Sequence, residues 1–229
     1  MSERHQDIET SVHDPRYRLR PADARRLMTW ARRSSRSYPW RHENDPYRLA
    51  VTELMLVRTR AEQVARVWAG FFEKFPTLAA LTGADPAEVE TVLRPLGLRW
   101  RTQRIVAFSR AASSRPDWLA VPGDLPGAGP YVLAAARLGS VGFGTLPVDV
   151  TIARVLARFF GIQMSGEARR NAEVLLAAAS MGRQSRASFH AWLDLAALVC
   201  TPRNPACVQC PLRSACRSVE SPAVTQGPD

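Results

Sequence analysis

The stretch LPGAGPYVLAAARL, residues 125–138, decides the fold, because it sets a glycine-rich turn directly before an apolar helical run. Gly127 and Gly129 flank one small residue, and Pro130 opens the run at a position where its missing N–H is not needed. Glycines at such a turn let backbone N–H groups approach an anion at the positive end of the helix, although the same pattern also makes an ordinary turn. Tyr131 directly follows Pro130 in the sequence. The turn is therefore a candidate contact with a phosphate group.

Helical periodicity extends from this stretch towards both ends of the chain. Apolar residues recur at helical spacing in segment after segment, and strand signals are nearly absent. Asp45–Pro46 and Asp85–Pro86 each join an N-cap residue to a proline at the first helical position. Helices are predicted over 23–33, 45–59, 60–74, 85–93, 102–113, 130–139, 149–160, 167–181 and 186–199. The sequence therefore predicts an all-α protein.

The composition indicates a basic protein of one or two compact domains. The 229 residues include 31 Lys and Arg and 21 Asp and Glu, which gives a formal net charge of +10. Arginine supplies nearly all of the positive charges, and the length allows one or two hydrophobic cores. This balance is typical of nucleic-acid binding, although a solvated surface or a GC-rich genome also raises the arginine content. No apolar run approaches the roughly 20 residues of a membrane span, and the N-terminus carries no signal-peptide core. We therefore expect a cytoplasmic protein without a membrane partner.

All four cysteines fall in one loop, CTPRNPACVQCPLRSAC, with the spacing C-x6-C-x2-C-x5-C. The four are Cys200, Cys207, Cys210 and Cys216. Zinc sites usually take two tight cysteine pairs from separated turns, whereas here only Cys207 and Cys210 form such a pair. Four thiolates in so short a loop suit a 4Fe-4S cluster. Zinc, free thiols and disulfides are the alternatives.

Three motifs together resemble a known family. The cysteine spacing, the LPGAGPY turn at 125–131 and the run PVDVTIARVLARFFG at 147–161 are similar to the helix-hairpin-helix DNA glycosylases of the endonuclease III and MutY superfamily, in the same order along the chain. The resemblance covers roughly residues 20–217. It implies a 4Fe-4S cofactor held by the four cysteines, and double-stranded DNA with a mismatched or damaged base as the partner of a monomeric enzyme.

The family's domain plan gives the expected architecture. Its members have two helical domains with a DNA-binding cleft between them. The resemblance implies a six-helix domain with the helix-hairpin-helix at 44–143, and a cluster domain formed by both chain ends, 15–43 plus 144–217. The remaining ends, 1–14 and 218–229, are expected to be flexible tails.

Three side chains match the family's chemistry. Asp149 matches the catalytic aspartate, whose carboxylate stabilises the positive charge that builds on the sugar as the base leaves; taken alone it is a helix N-cap, and both roles can coexist. Glu53 matches the acidic residue beside the base pocket, or is a polar residue of a mostly apolar helix. Tyr131 stands where bifunctional relatives carry a lysine, and tyrosine cannot form their Schiff base. It lines the pocket or is a core aromatic, and the enzyme is expected to lack lyase activity.

The DNA contacts are expected from four residues. Gly127 and Gly129 match the family's phosphate-binding turn, whose contacts position the protein without identifying the base. Arg58 and Thr59 match the residues that fill the space left by a flipped base, with a surface or phosphate contact as the alternative for Arg58.

The runs TELMLVRTRAEQV at 52–64 and IARVLARFFG at 152–161 are most similar to archaeal thymine–guanine mismatch glycosylases. MutY instead has a glutamine-rich stretch in the first run, a Gly-Tyr-Tyr in place of residues 97–99, and an extra C-terminal domain for which this sequence ends too early. The expected function is a monofunctional glycosylase of base excision repair that removes thymine or uracil opposite guanine. A MutY-like adenine glycosylase, acting opposite guanine or 8-oxoguanine, is the first alternative. A non-catalytic iron–sulfur DNA-binding protein is the second, and the presence of Asp149 and Glu53 argues against it.

Overall fold

The computed structural model describes residues 14–97, 99–120, 125–164 and 172–220, and these are mostly helical, so the all-α prediction is confirmed. The α-helices of the described residues are α1 (Pro21–Ser34), α2 (Pro46–Leu56), α3 (Ala61–Lys74), α4 (Leu78–Thr82), α5 (Pro86–Leu93), α6 (Trp100–Ser113), α7 (Pro130–Val141), α8 (Val150–Phe160), α9 (Ala172–Ser180), α10 (Arg186–Leu198) and α11 (Arg217–Glu220). Short 3-10 helices span Pro15–Tyr17, Pro39–His42, Arg94–Leu96, Cys207–Gln209 and Arg213–Ala215.

A small ribbon interrupts the helical pattern. The strands β1 (Phe143–Gly144) and β2 (Gln184–Ser185) pair antiparallel, with Phe143 opposite Ser185. Each strand has only two residues, too short to show the alternation by which a strand is predicted. The ribbon ties the residues that follow α7 to those that precede α10.

The helix starts follow from the aspartates that the sequence marks as caps. The Asp45 carboxylate accepts the Tyr47 N–H at 2.9 Å, and Asp85 accepts the Ala87 N–H at 2.8 Å. Both predictions of a capped helix with a leading proline are confirmed. The predicted helix over 167–181 falls partly on residues 165–171, which lie outside the described part of the chain.

The chain divides into two compact units. The central unit is the continuous segment Ser37–Gly142, and the terminal unit combines the described parts of Met1–Arg36 and Phe143–Asp229. The residues 37–43, assigned by the sequence to the domain of the chain ends, group with the central unit instead. There the Tyr38 ring stacks on Trp40 at 4.8 Å, and its hydroxyl donates to Glu62 of α3.

The core of the central unit is built around α2. Its residues Ala50, Val51 and Met55 are completely buried, and α2 packs against α3, α6 and α7. The contact with α7 is close because Gly139 has no side chain: a Cβ there would lie 2.7 Å from Cδ1 of Leu49. The helix that carries Glu53 is therefore held tightly against the helix that follows the glycine turn.

The terminal unit packs α8 against α9, α10 and α11, and α10 against α1. Its buried carboxylates have arginine partners, as buried charges require. Asp194 of α10 accepts the Arg36 Nε–H at 2.7 Å, and Asp23 of α1 pairs with Arg20 and Arg26. The Arg36–Asp194 pair connects the segment that follows α1 to α10, whereas the two Asp23 pairs are local to the start of α1.

Parts of the predicted tails are folded. The Asp14 N–H donates to Ser180 Oγ at 3.1 Å, and the Ser218 hydroxyl in α11 donates to the Arg158 carbonyl at 2.8 Å. The rest of the predicted tails, 1–13 and 221–229, lies outside the described residues. None of the helices in the described part of the chain is long and apolar enough to cross a membrane.

Candidate functional site

The glycine stretch forms a tight turn between α6 and α7. Leu125 and Ala128 exchange both backbone hydrogen bonds, at 3.0 Å and 2.8 Å. Pro126 precedes Gly127, whose φ of +85° lies in the left-handed region. A proline followed by a glycine at positive φ is typical of a type II turn.

The close approach at Gly127 comes from the protein itself. A Cβ on this residue would lie 2.0 Å from the Arg104 carbonyl oxygen and 2.8 Å from the Phe108 nitrogen, both in α6. The sequence interpretation attributed both glycines to an approaching phosphate. At Gly127 the backbone of α6 is by itself a sufficient reason for glycine, because it leaves no room for a side chain, and the phosphate contact stays a prediction.

Gly129 has an ordinary backbone conformation and open space where a side chain would be. Its φ of −81° is open to any residue, and nothing lies within 4 Å of a Cβ built there. It is the N-cap of α7 without a side chain that could cap the first turn. The start of α7 is therefore open to an external anion, which the helix end attracts.

Glu53 and Tyr131 lie on the two helices that pack together in the central unit. Glu53 is half-buried on α2, and Tyr131 is half-buried in the first turn of α7, where its ring packs against the core. The only lysine of the sequence, Lys74, is at the end of α3 and pairs with Glu88 at 3.4 Å. No lysine therefore takes the place of Tyr131.

Arg58 and Thr59 lie in the loop between α2 and α3. Arg58 is exposed and has a φ of +52°, the one positive φ of a non-glycine residue in the described ranges. Such a conformation is strained for a residue with a Cβ. The Thr59 hydroxyl donates to the Val57 carbonyl at 3.3 Å and accepts a hydrogen bond from Arg101 of α6.

Asp149 is the N-cap of α8. Its Oδ1 accepts the N–H groups of Thr151 and Ile152 at 3.0 Å and 2.7 Å, and the Thr151 hydroxyl donates to both carboxylate oxygens at 2.8 Å and 3.0 Å. The side chain is half-buried. These four contacts fix the orientation of the carboxylate, and the expected N-cap is observed.

Two arginines connect α8 to the cysteine loop. Arg154 donates to the carbonyls of Cys200 and Ala196, each at 3.0 Å. Arg158 donates to the Thr201 and Pro202 carbonyls at 2.7 Å and contacts Cys200 Sγ at 3.5 Å. Burial lowers the pKa of the Arg154 guanidinium, and the charges of Cys200 and Asp149 act in the opposite direction. The helix that carries Asp149 at its start is thus held by the cysteine loop.

The four cysteines are half-buried free thiols. Burial, together with the charges of the neighbouring cysteines, raises the pKa of Cys210 to about 11. Iron that binds here must therefore displace protons.

The spacing of the thiols tests which metal group they fit. Within the described residues, no three His, Cys, Asp or Glu side chains converge closely enough for one metal ion. Around one zinc the sulfurs would stand about 3.8 Å apart, since the Zn–S bond is about 2.3 Å and the geometry tetrahedral. In a 4Fe-4S cluster each thiolate binds a different iron, so its four sulfurs stand farther apart than around one zinc, which agrees with the absence of a single-ion site among the described residues.

A basic surface groove of about 810 Å³ lies away from Asp149, along α1 in the terminal unit. Its lining includes Arg25, Arg26 and Arg33, the Trp30 ring, and Pro211 of the cysteine loop. The groove adds to the positive surface that the composition predicts.

The predicted site residues fall into two groups. The central unit holds Glu53, Arg58, Thr59, Gly127, Gly129 and Tyr131. The terminal unit holds Asp149 and the four cysteines.

The sequence interpretation missed Arg101, Thr151, Arg154 and Arg158. A signal for Arg101 exists, because it is four residues before Ile105 on the buried face of α6, where a charge is out of place. Likewise Arg154 and Arg158 are four residues apart on one face of α8.

Comparisons with known proteins point to one family. The HhH-GPD superfamily of base excision DNA repair proteins matches residues 51–178, and the iron–sulfur binding domain of endonuclease III matches 200–216. A thymine-DNA glycosylase of Aeropyrum pernix is 28% identical over 84% of this chain and 92% of its own length. An adenine DNA glycosylase of Mycobacterium tuberculosis is 31% identical over 89% of this chain and 69% of its own length. The solved structure of a thermostable thymine-DNA glycosylase superposes with a TM-score of 0.73 at 28% identity, covering 86% of this chain and 94% of that one.

The chain belongs to the HhH-GPD superfamily of base excision DNA repair proteins, which confirms the resemblance stated from the motifs. It is a DNA glycosylase, acts on DNA and carries a 4Fe-4S cluster, so the expectations of an enzyme and of an iron–sulfur cofactor are confirmed as well.

Proposed function

We propose that this enzyme hydrolyses the N-glycosidic bond of thymine or uracil opposite guanine in duplex DNA and leaves an abasic site. The likeness to the thermostable thymine-DNA glycosylase, in fold and in sequence over 86% of this chain, carries this choice of base. The Arg58–Thr59 pair after Thr52–Glu53, the feature shared with mismatch glycosylases, supports it. The enzyme acts as a monomer on mismatched DNA.

Asp149 supplies the central step. As the base departs, positive charge builds on the deoxyribose, and a carboxylate with a fixed orientation stabilises that charge without reorganisation. The four hydrogen bonds to Asp149 hold it in one orientation. The same carboxylate can then orient the attacking water.

Glu53 and Tyr131 form the wall of the base pocket. The two residues lie on packed helices of the central unit, so their positions relative to each other are fixed. Glu53 holds the edge of the base, which leaves as an anion stabilised by hydrogen bonds. Tyr131 has no amine to attack the sugar, and the reaction therefore stops at hydrolysis.

The DNA backbone and the gap in the stack are bound by the central unit. The open start of α7 at Gly129 binds a phosphate, and the turn at Gly127 aims its N–H groups. Arg58, exposed on its loop, enters the space that the flipped base leaves and donates to the orphaned guanine, with Thr59 beside it.

Cys200, Cys207, Cys210 and Cys216 would hold the 4Fe-4S cluster. When bound, the cluster cross-links the loop through four iron–sulfur bonds. The loop in turn holds α8 through Arg154 and Arg158, so it braces the helix that begins at Asp149.

The test is a panel of duplexes with T:G, U:G, A:G or A opposite 8-oxoguanine, incubated with the cluster-loaded enzyme. We expect strand breaks at thymine and uracil only, and only after alkali, because an abasic site stays intact until then. Breaks without alkali contradict the absence of lyase activity. Asp149→Asn is expected to abolish the breaks and keep DNA affinity, and full activity of this variant would refute the role of Asp149.

An adenine glycosylase is the second candidate. The 31% identity to the adenine DNA glycosylase of Mycobacterium tuberculosis favours it. Here Glu53 would protonate the adenine ring to improve the leaving group. Breaks at adenine alone would establish this candidate and discard thymine and uracil.

A further inference from the structure

The loop that carries Arg58 is held in a strained conformation. At a φ of +52° Arg58 occupies the left-handed region, which residues with a Cβ rarely adopt. Such strain persists only where the surroundings enforce it, and it is concentrated at functional sites. The enforcing contacts must come from the residues on either side of Arg58, because the Arg58 side chain itself is exposed.

Arg101 of α6 makes those contacts. Its Nη2 donates to the Val57 carbonyl at 2.7 Å and to the Thr59 hydroxyl, so it binds the residues directly before and after Arg58. Its Nη1 donates to the carbonyls of Leu96 and Gly97 at 3.1 Å and 3.0 Å. One planar guanidinium thus clamps the Arg58 loop to the loop that leads into α6.

The environment of Arg101 argues against a role in stability alone. The residue is 1% exposed, and all four of its acceptors are neutral oxygens. Its Nε has no hydrogen-bond partner within the described residues. Replacing buried charged groups by well-packed apolar side chains of similar volume is often neutral or stabilising. What the guanidinium provides here is a planar fork that spans two loops.

We infer that Arg101 is the positioning residue that fixes Arg58 for insertion into DNA: its guanidinium enforces the left-handed Arg58 backbone and so aims the exposed side chain at the gap left by the flipped base. This inference rests on the proposed role of Arg58.

The test is a double-mutant cycle between Arg58→Ala and Arg101→Lys, which keeps the buried charge and removes the fork. The cluster-loaded enzyme is mixed with the panel duplex that it binds most tightly, with 2-aminopurine beside the target base. The rise in 2-aminopurine fluorescence measures base flipping independently of bond cleavage. Arg110→Lys, an exposed arginine of the same helix, is the matched control.

We expect each single variant to reduce flipping about tenfold and the double variant to reduce it hardly further, since coupled neighbours are non-additive. Arg110→Lys is expected to flip as the unaltered enzyme does. A merely structural Arg101 would lower the unfolding temperature and leave the tenfold effect of Arg58→Ala intact in the Arg101→Lys background. Multiplied effects would therefore overturn the inference.

Thr59→Val tests the contact between Arg101 and the Arg58 loop without a substitution in α6. It removes one acceptor of Arg101, and it should likewise abolish the effect of Arg58→Ala. No loss of flipping in Arg58→Ala would overturn both this inference and the proposed role of Arg58. Coupled flipping in an enzyme that cleaves none of the panel duplexes would refute the proposed reaction alone.

Discussion

The Thr151 side chain gives the Asp149 carboxylate a hydrogen bond at Oδ2 that a helix N-cap does not need. Two backbone N–H groups already bind Oδ1, as in any capped helix. The Thr151 hydroxyl adds a contact to each carboxylate oxygen and is the only described group that hydrogen-bonds Oδ2. We therefore assign to Thr151 the orientation of the oxygen that the cap leaves unbound.

Thr151→Val keeps the shape of the side chain and removes this hydroxyl. We expect the single-turnover rate of base release to fall about tenfold, because a loosened carboxylate is less well placed at the sugar. DNA affinity should not change. Thr151→Ser restores the hydroxyl and is expected to recover most of the rate. A rate for Thr151→Val equal to that of the unaltered enzyme would mean that the cap alone orients Asp149.

At the scale of elements, the turn between α6 and α7 shows which part of the hairpin is built for packing. At Gly127 both the positive φ and the backbone of α6 exclude a side chain, whereas at Gly129 neither does. Gly127 is therefore required by its backbone conformation and by the packing of α6, whereas neither of these requires glycine at position 129.

We expect Gly127→Ala to lower the free energy of unfolding by roughly 2 to 4 kcal/mol, since strain and overpacking act together. Gly129→Ala should stay within about 0.5 kcal/mol of the unaltered chain. Denaturant unfolding of both variants measures the difference. Equal stabilities would show that α6 can move away from the turn at little cost.

The contact between α8 and the cysteine loop is the second element-scale feature with a measurable effect. Arg158→Met removes the hydrogen bonds to two loop carbonyls and the contact with Cys200 Sγ. Because such outer contacts orient metal ligands, we expect the iron–sulfur absorption to be lost about tenfold faster on exposure to a chelator. Arg203→Met, an exposed arginine of the same loop, is the control for charge. Identical rates for the two variants would contradict the bracing role.

Prediction from sequence succeeded where the cause is local. Asp45 and Asp85 cap their helices because the cap and the proline are neighbours in the chain. The roles of Gly127 and Arg101 depend on contacts with residues distant in sequence, such as the bond between Arg101 and Thr59. Helical periodicity can place Arg101 on a buried face, but it does not identify the residues that Arg101 or Gly127 contacts. Family motifs supplied the expected roles of Asp149 and the cysteines, which a cap pattern or a cysteine count alone leaves open.

At the scale of the whole molecule, the net charge of +10 governs the encounter with DNA. Arginines that replace counterions at phosphates make affinity fall as salt rises, with a slope of about −0.9 per phosphate contact in a plot of log K against log salt. We expect a steep linear decrease for matched and mismatched duplexes alike, measured by fluorescence anisotropy between low and physiological salt. The preference for the mismatch should change little, because it comes from the pocket. An affinity independent of salt would contradict phosphate binding.

The split of the terminal unit across both ends of the chain also sets an order for its assembly during synthesis. Arg36 pairs with Asp194, which the ribosome adds 158 residues later. At about 5 to 20 residues per second this delay is roughly 8 to 30 s. The contiguous segment from Ser37 to Gly142 is complete well before then and can fold as it emerges. Until α10 has been synthesised, the apolar face of α1 lacks its partner helix, so the nascent chain exposes Leu27 and Ala31 to chaperones during this delay.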